Sequence, residues 1–228
     1  MCGRLVVTSS SKKLASVVHA QAGAGERATR YNLTPTQRVP VVLNDGARQL
    51  VEARWGVPGP RGTPLINARA ETLDAKPTFA RLVRERRCVV LADAFYEWGV
   101  RSDGRSKQPW LFYRRDRAPF ALAALWTCER EADGADVPTC VLVTTSANDL
   151  MAPVHNRMPV LLTDAACERW LDPAPTRADA FRELLVPCDP ADMAAHPVGP
   201  WVNRVALDDP RCIEPVPLPP ETPELFAF

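Results

Sequence analysis

The 228-residue chain has no apolar run approaching the roughly 20 residues of a membrane span. Its opening, Met1-Cys2-Gly3-Arg4-Leu5-Val6-Val7-Thr8, lacks the apolar core of a secretory signal, so a cytoplasmic protein with no membrane partner is expected. Histidine is scarce, with only His19, His155 and His196, far apart in sequence. The seven cysteines, Cys2, Cys88, Cys128, Cys140, Cys167, Cys188 and Cys212, contain no C-x-x-C pair, and their number is odd. These absences argue against a zinc site or a disulfide framework, and no metal or cofactor is expected. Net charge is small too. With 28 Lys plus Arg against 27 Asp plus Glu, the sum of +1 excludes a uniformly basic nucleic-acid binder.

The charge is unevenly placed, however. Residues 1–115 carry 20 basic and 9 acidic side chains, a balance of +11, and residues 116–228 carry 8 and 18, a balance of −10. Of the 20 basic residues, only Lys12, Lys13, Lys76 and Lys107 are lysines; the rest are arginines, whose planar fork suits phosphate. A segregated positive face can bind a polyanion that the whole-chain sum conceals, whereas interlocked ion pairs would cancel it.

Twenty-three prolines, about twice the average share, point to extended segments and turns rather than a helical bundle. Strands are expected at residues 4–8, 88–92, 110–113, 120–126, 139–145 and 159–162. A hairpin is expected where 39–43 and 49–54 flank Asn44-Asp45-Gly46. Helices are expected from Ser11, as cap, to near Gly23, from Pro77 to about Glu85, and after Thr163 and Thr176 as N-caps. Cys88, Cys140 and Cys167 fall inside these apolar elements and read as small buried hydrophobes. The pattern predicts one compact α+β domain with a mainly antiparallel, barrel-like sheet and flanking helices. Residues 1–207 form its core, and a proline-rich tail over 208–228 wraps the surface in extended form.

Cys2 is the chemically unusual position. Aminopeptidases usually remove an initiator Met before a small residue, which would leave an α-amine and a thiol on one residue. With reference pKa values of about 7.7–8.0 and 8.5, both are partly deprotonated near neutral pH, and nearby Arg4 is expected to favour the thiolate. The characteristic partner of such a 1,2-aminothiol is an aldehyde: the amine forms an imine, and the thiol closes on it to give a thiazolidine ring, assisted by proximity. An N-terminal amine can also act as base for its own thiol, which leaves a thiol hydrolase open. Position alone favours a plainer reading, in which Cys2 merely leads into the first strand.

Further segments alter that balance: Tyr31-Asn32-Leu33-Thr34-Pro35-Thr36-Gln37, Arg54-Trp55-Gly56, Asn67-Ala68-Arg69-Ala70-Glu71-Thr72, Ala92-Asp93-Ala94-Phe95-Tyr96-Glu97-Trp98, Thr144-Thr145-Ser146-Ala147-Asn148 and His155-Asn156-Arg157-Met158-Pro159. With Met1-Cys2-Gly3-Arg4 they resemble, in order and over residues 1 to about 216, the SOS-response-associated peptidase (SRAP) family of abasic-site processing proteins. The resemblance implies a DNA-repair protein that captures abasic sites in single-stranded DNA through a thiazolidine on the mature N-terminal cysteine. It implies Cys2 as nucleophile, Asn67 as the residue orienting it, and Glu97 and His155 as proton carriers. Arg4, Arg69 and Arg157 are implied near the DNA strand, and Thr144 as a pocket-lining hydroxyl. Trp55 is a candidate for stacking on a base, with packing in the core as the competing expectation. A strand-cleaving lyase activity is compatible with the same imine, and a monomer is expected. The alternatives are a thiol-dependent (auto)peptidase and a non-catalytic reader of modified DNA. The chain departs from the family pattern at Leu91 and Ala94, where Pro and Gly are usual, and in Val57-Pro58-Gly59-Pro60-Arg61-Gly62, which lacks the usual tryptophan.

Overall fold

Short, valine-rich strands build most of the structure, a computed structural model that describes residues 2–218 apart from 24, 26, 102, 103, 105, 132 and 133. The strands are β1 (Leu5–Val7), β2 (Arg30–Leu33), β3 (Arg38–Leu43), β4 (Leu50–Trp55), β5 (Asn67–Arg69), β6 (Arg87–Ala92), β7 (Ala94–Val100), β8 (Lys107–Arg114), β9 (Phe120–Arg130), β10 (Asp136–Ser146), β11 (Arg157–Pro159), β12 (Leu161–Leu162) and β13 (Met193–Pro197). The helices are α1 (Ser11–Ser16), α2 (Pro77–Glu85) and α3 (Asp164–Trp170). The class is α+β, as expected.

Two sheets share the chain. Strands β10-β4-β3-β6-β9 follow one another, and the β9–β10 pairing joins the two ends, so these five close into a barrel. Closure removes the exposed edges of an open sheet. β6 lies between β3 and β9, and all six of its residues are buried, with α2 and α3 packed against it. The second sheet runs β13-β8-β7-β1-β2, every pairing antiparallel. Phe95 and Phe112 fill its inner face, stacked with centroids 5.4 Å apart, and belong to the main core. On its outer face Val6, Ala94, Tyr96 and Leu111 make a second core with Val198 and Val202 of the chain after β13.

One buried charge ties the barrel to its helices. Arg87 is fully buried, with the Asp172 charge acting on it, and all five of its N–H groups serve backbone carbonyls. Nε donates to Trp170 O at 2.9 Å, Nη1 to Val83 O and Arg84 O at 3.0 and 2.5 Å, and Nη2 to Ala174 O at 3.0 Å and to Asp172 O. The guanidinium thereby joins the end of α2 to the loop after α3.

Several boundaries differ from expectation. The first helix stops at Ser16 rather than near Gly23, and Ser10, not Ser11, accepts from Lys13 N as its cap. The backbone then reverses through His19, at φ 51°. Thr163 caps α3 as expected, but after Thr176 only a short 3-10 turn forms, at Ala178–Phe181, with Arg177 as cap. The tail includes a 3-10 turn at Pro210–Ile213 before Pro215 pairs with Val198; its part from 219 onward lies outside the described residues. Strands β2, β5, β7 and β13 have no counterpart in the expected set.

The two charge halves interlock rather than separate. Arg30 pairs with Asp208, Arg48 with Glu168 at 2.8 Å, and Arg54 with Glu129 and Glu131, each an arginine of the basic half on a carboxylate of the acidic half. The +11 half is therefore not an unmixed positive face.

Candidate active site

The site begins with the pairing of β1 and β7. Leu5 lies opposite Phe95 and Val6 opposite Ala94, and Tyr96 N donates to Arg4 O at 3.0 Å. Continuing that register towards the N-terminus brings the Cys2-Gly3 segment alongside Glu97. Both Cys2 and Glu97 are buried, with 1% and 2% of their surfaces exposed. Asn67 reaches the same place from β5, which pairs with β10 in parallel: Leu142 faces Asn67, and Thr144 faces Arg69. Its Nδ2 donates to Cys2 O at 2.7 Å, while its Oδ1 is buried without a hydrogen-bond partner. Such an orphaned acceptor is costly unless a donor arrives.

His155 comes from the loop between β10 and β11. Its neighbour Val154 packs on Gly99, where an added Cβ would stand 3.5 Å from Val154 Cα. Glu97 and Gly99 are two apart in β7 and therefore share a face, so His155 is delivered to the Glu97 side. His155 Nδ1 lies 3.0 Å from Arg157 N. The carbonyl of Arg157 lies 3.2 Å from the same nitrogen, so the loop offers a partner to either protonation state.

The electrostatics of Cys2 overturn one expectation. Burial, and then the neighbouring Glu97 carboxylate, push its thiol well above the ordinary value. What opposes them is the backbone N–H of Arg4, hydrogen-bonded to the sulfur, not the Arg4 guanidinium. That guanidinium belongs to the opposite face of the sheet, with Val6: its Nη1 donates to Asn32 Oδ1 at 2.5 Å and to Val202 O, and it sits 5.6 Å from the centre of the Trp98 ring. Arg4 does not make the thiol acidic.

The other predicted contacts divide sharply. Arg69 is exposed and, among the described residues, makes no side-chain hydrogen bond or ion pair, its charge acting on the nearby Glu71 carboxylate. Arg157 grips Glu71 with both Nη atoms, at 2.6 and 3.0 Å, and Nη2 also donates to Thr144 O at 2.6 Å. Thr144 is 1% exposed and donates its hydroxyl to Ala68 O, so it braces β5 and Arg157 rather than opening onto a ligand. Trp55 corrects the stacking expectation. It is fully buried in the barrel, its indole N–H donates to Ile66 O at 3.0 Å, and it presents no face to a base. Ala94, a departure from the family pattern, sits in regular strand paired with Val6 and Tyr113, and is not among the positive-φ residues. The departing loop over 57–62 forms a 3-10 turn at Pro60–Gly62, closed by the pairing of Val57 with Leu65, beside a cavity of about 310 Å³.

Sequence reasoning missed Asn32 and Trp98 as parts of this frame. Asn32 is fully buried, with Nδ2 donating to Val202 O, Arg204 O and Leu207 O at 3.3, 3.0 and 2.7 Å; Trp98 Nε1 donates to Asn203 Oδ1 at 2.7 Å. Both lie inside the quoted motifs, but their partners are more than 100 residues away, and no local pattern signals that.

A cysteine behind the initiator Met, held by an asparagine amide and faced by a buried carboxylate on a barrel-and-sheet frame, defines a class of thiol proteins built around an N-terminal strand. Residues 1–205 match the SOS response associated peptidase (SRAP) family, and the chain belongs to it. It is 36% identical over 223 residues to the abasic site processing protein YoqW of Bacillus subtilis, covering 94% of this chain and 99% of that one. It is 31% identical over 191 residues to the abasic site processing protein YedK of Escherichia coli, covering 82% and 85%. Among solved structures, a Bacteroides thetaiotaomicron protein superposes with a TM-score of 0.79 at 22% identity, covering 94% of this chain and all of that one. A Bordetella bronchiseptica protein gives 0.73 at 26% identity, covering 87% and all of that chain.

Proposed function

We propose that this protein acts in the repair of abasic DNA, binding the single strand and joining its mature Cys2 covalently to the aldehyde of the opened deoxyribose. The observation that carries this reading is the convergence of Asn67 on the Cys2 carbonyl, with the Glu97 charge beside the thiol. Relatives over nearly the full length are named abasic site processing proteins.

Once Met1 is removed, the α-amine of Cys2 adds to the aldehyde carbon to give a carbinolamine. Loss of one water, with a proton delivered to the departing hydroxyl, gives the imine. The thiol then adds to the same carbon, forming the C–S bond while its proton passes to nitrogen, and the thiazolidine ring closes. The net change is loss of one water. Glu97 is placed to take and return the thiol proton, and His155 is the second carrier. The orphaned Asn67 Oδ1 is an acceptor for the amine or a sugar hydroxyl.

The order of the steps differs from that of a thiol peptidase. A peptidase needs a ready thiolate to attack an amide, whereas here the amine attacks first and the thiol meets an activated imine. Strand cleavage by β-elimination follows from the same imine, whose positive charge acidifies the neighbouring carbon. The active form is a cytoplasmic monomer.

An abasic single-stranded oligonucleotide incubated with the Met1-processed protein and with Cys2→Ala tests this. A heat-stable adduct of protein plus DNA minus one water, seen by mass spectrometry only with Cys2 present, is expected. Equal reversible binding by both proteins, with no adduct, would overturn it.

A further inference from the structure

The three arginines expected along the DNA strand are in different states. Arg69 is exposed and makes no side-chain hydrogen bond or ion pair among the described residues, though its charge acts on Glu71; Arg4 is committed to Asn32 and Val202; Arg157 is held by a carboxylate. That carboxylate belongs to Glu71, in the 3-10 turn at Ala70–Thr72 directly after β5. Its two oxygens meet the two Nη atoms of Arg157 at 2.6 and 3.0 Å, the side-by-side fork geometry that a phosphate also adopts on arginine. The Glu71 side chain is 51% exposed and Arg157 only 16%, so the carboxylate lies on the solvent side of the guanidinium. The inner side of Arg157 is fixed: Nη2 donates to Thr144 O and Oγ1, and the backbone N–H donates to His155. Within the pair, therefore, the part free to move is Glu71.

We propose that Glu71 is a resident competitor for the strand, its carboxylate occupying the Arg157 fork that a DNA phosphate takes over. The inference rests on the reading that DNA binds at this site. Its consequence is selectivity. An ordinary strand must break the Glu71–Arg157 pair to gain one phosphate contact, a poor exchange for weak non-specific binding. A strand whose abasic sugar is also held at Cys2 and Asn67 has enough further contact to make the displacement. A half-exposed ion pair is weak, so the barrier to non-specific binding is small but applies at every unmodified site.

The experiment compares wild type, Glu71→Gln and Glu71→Ala in binding a single-stranded oligonucleotide with a tetrahydrofuran abasic analogue, and the same sequence intact. Fluorescence anisotropy is read across a salt series, with folding verified by thermal melting. Both variants are expected to bind intact strand up to about five-fold more tightly, with the log–log salt slope steeper by about 0.7, the increment for one more phosphate neutralised. The preference for the abasic analogue falls accordingly. Glu183→Gln, which removes a carboxylate paired with Arg169 on α3, controls for net charge and is expected to leave affinity and slope unchanged. The gain from Glu71→Gln is expected to vanish in an Arg157→Ala background.

An equal gain from Glu183→Gln, a gain that survives Arg157→Ala, or an unchanged or weakened affinity for Glu71→Gln would each overturn the proposal. The last outcome would make Glu71 a permanent brace for Arg157. If wild type binds neither oligonucleotide, the DNA-binding reading itself fails, and that result is distinguishable from failure of the Glu71 role.

Discussion

Asn67 Nδ2 donates to the backbone carbonyl of Cys2 at 2.7 Å, across 65 residues of chain. The amide thereby fixes the backbone of Cys2, the proposed nucleophile, while its own Oδ1 stays buried and unmatched among the described residues. One side chain combines a structural donor with an acceptor that no described residue satisfies. The two halves separate experimentally. Asn67→Asp keeps an acceptor and loses the donor; Asn67→Ala loses both. Single-turnover cross-linking, read on denaturing gels, is expected to slow for both, by up to about 100-fold for Asn67→Ala, the scale of a misplaced reacting group. Equal rates for wild type and Asn67→Ala would remove Asn67 from the site.

The buried thiols make stability fall in alkali. Cys2 and Cys140 are raised chiefly by burial, and Cys88 by burial and then by Cys140. A thiol whose folded value lies above its unfolded value stays protonated in the native state while the unfolded chain ionises. Its stabilising contribution is complete below the ordinary value near 9 and is lost as pH rises beyond it. Each such thiol steepens the loss by about 1.4 kcal/mol per pH unit. Urea midpoints from pH 8 to 10 are expected to fall, and Cys140→Ala is expected to flatten the slope at a fixed cost at neutral pH. A parallel fall in wild type and variant would contradict the assignment.

The sequence made the chemistry more legible than the frame. Cys2, Asn67, Glu97 and His155 stand in compact local motifs, and the hairpin strands around Asn44-Asp45-Gly46 follow from alternating patterns and turn residues. β5 and β13 were illegible for a physical reason. A three-residue strand such as Asn67–Arg69 gains its hydrogen bonds from β10, more than 70 positions away, and has no periodicity of its own. Strand β7 was hidden because its residues are buried on both faces, between the main core and the C-terminal segment, so no polar alternation marks it. Trp55 was ambiguous in sequence because the end of a hairpin strand can face a ligand or a core; closure of the barrel through β9 and β10 places it inside.

Trp55 therefore yields a prediction against its stacking role. Trp55→Ala empties a fully buried site and is expected to cost about 3–5 kcal/mol in urea unfolding. Trp55→Phe retains most of the packing and is expected to leave affinity for single-stranded DNA unchanged at temperatures where it is folded. A selective loss of DNA binding by folded Trp55→Phe would restore the stacking role.

Arg87 tests the buried staple. Replacement by Met keeps apolar bulk but strands five carbonyls that the guanidinium had satisfied, at Trp170, Val83, Arg84, Asp172 and Ala174. A loss of about 3–5 kcal/mol is expected on breaking so connected a buried charge. Cross-linking by the remaining folded fraction is expected to match wild type, since the hydrogen bonds of the Arg87 guanidinium go to the end of α2 and the loop after α3.

Arg69 carries the remaining electrostatic test. It follows Asn67 by two residues in β5, so it shares that strand's direction, and it is the arginine of the three that needs no rearrangement to meet a phosphate. Arg30, Arg48 and Arg54 are paired with carboxylates of the acidic half, so these three need no phosphate, and the salt dependence should be shallower than that of a uniformly basic groove. A log–log slope near 0.7 per phosphate contact is expected. Arg69→Ala should lower that slope by about 0.7 and weaken intact and abasic strands alike, because a phosphate contact carries no information about the missing base. An unchanged slope in Arg69→Ala would move the strand's path away from β5, and with it the assignment of Asn67 to the sugar.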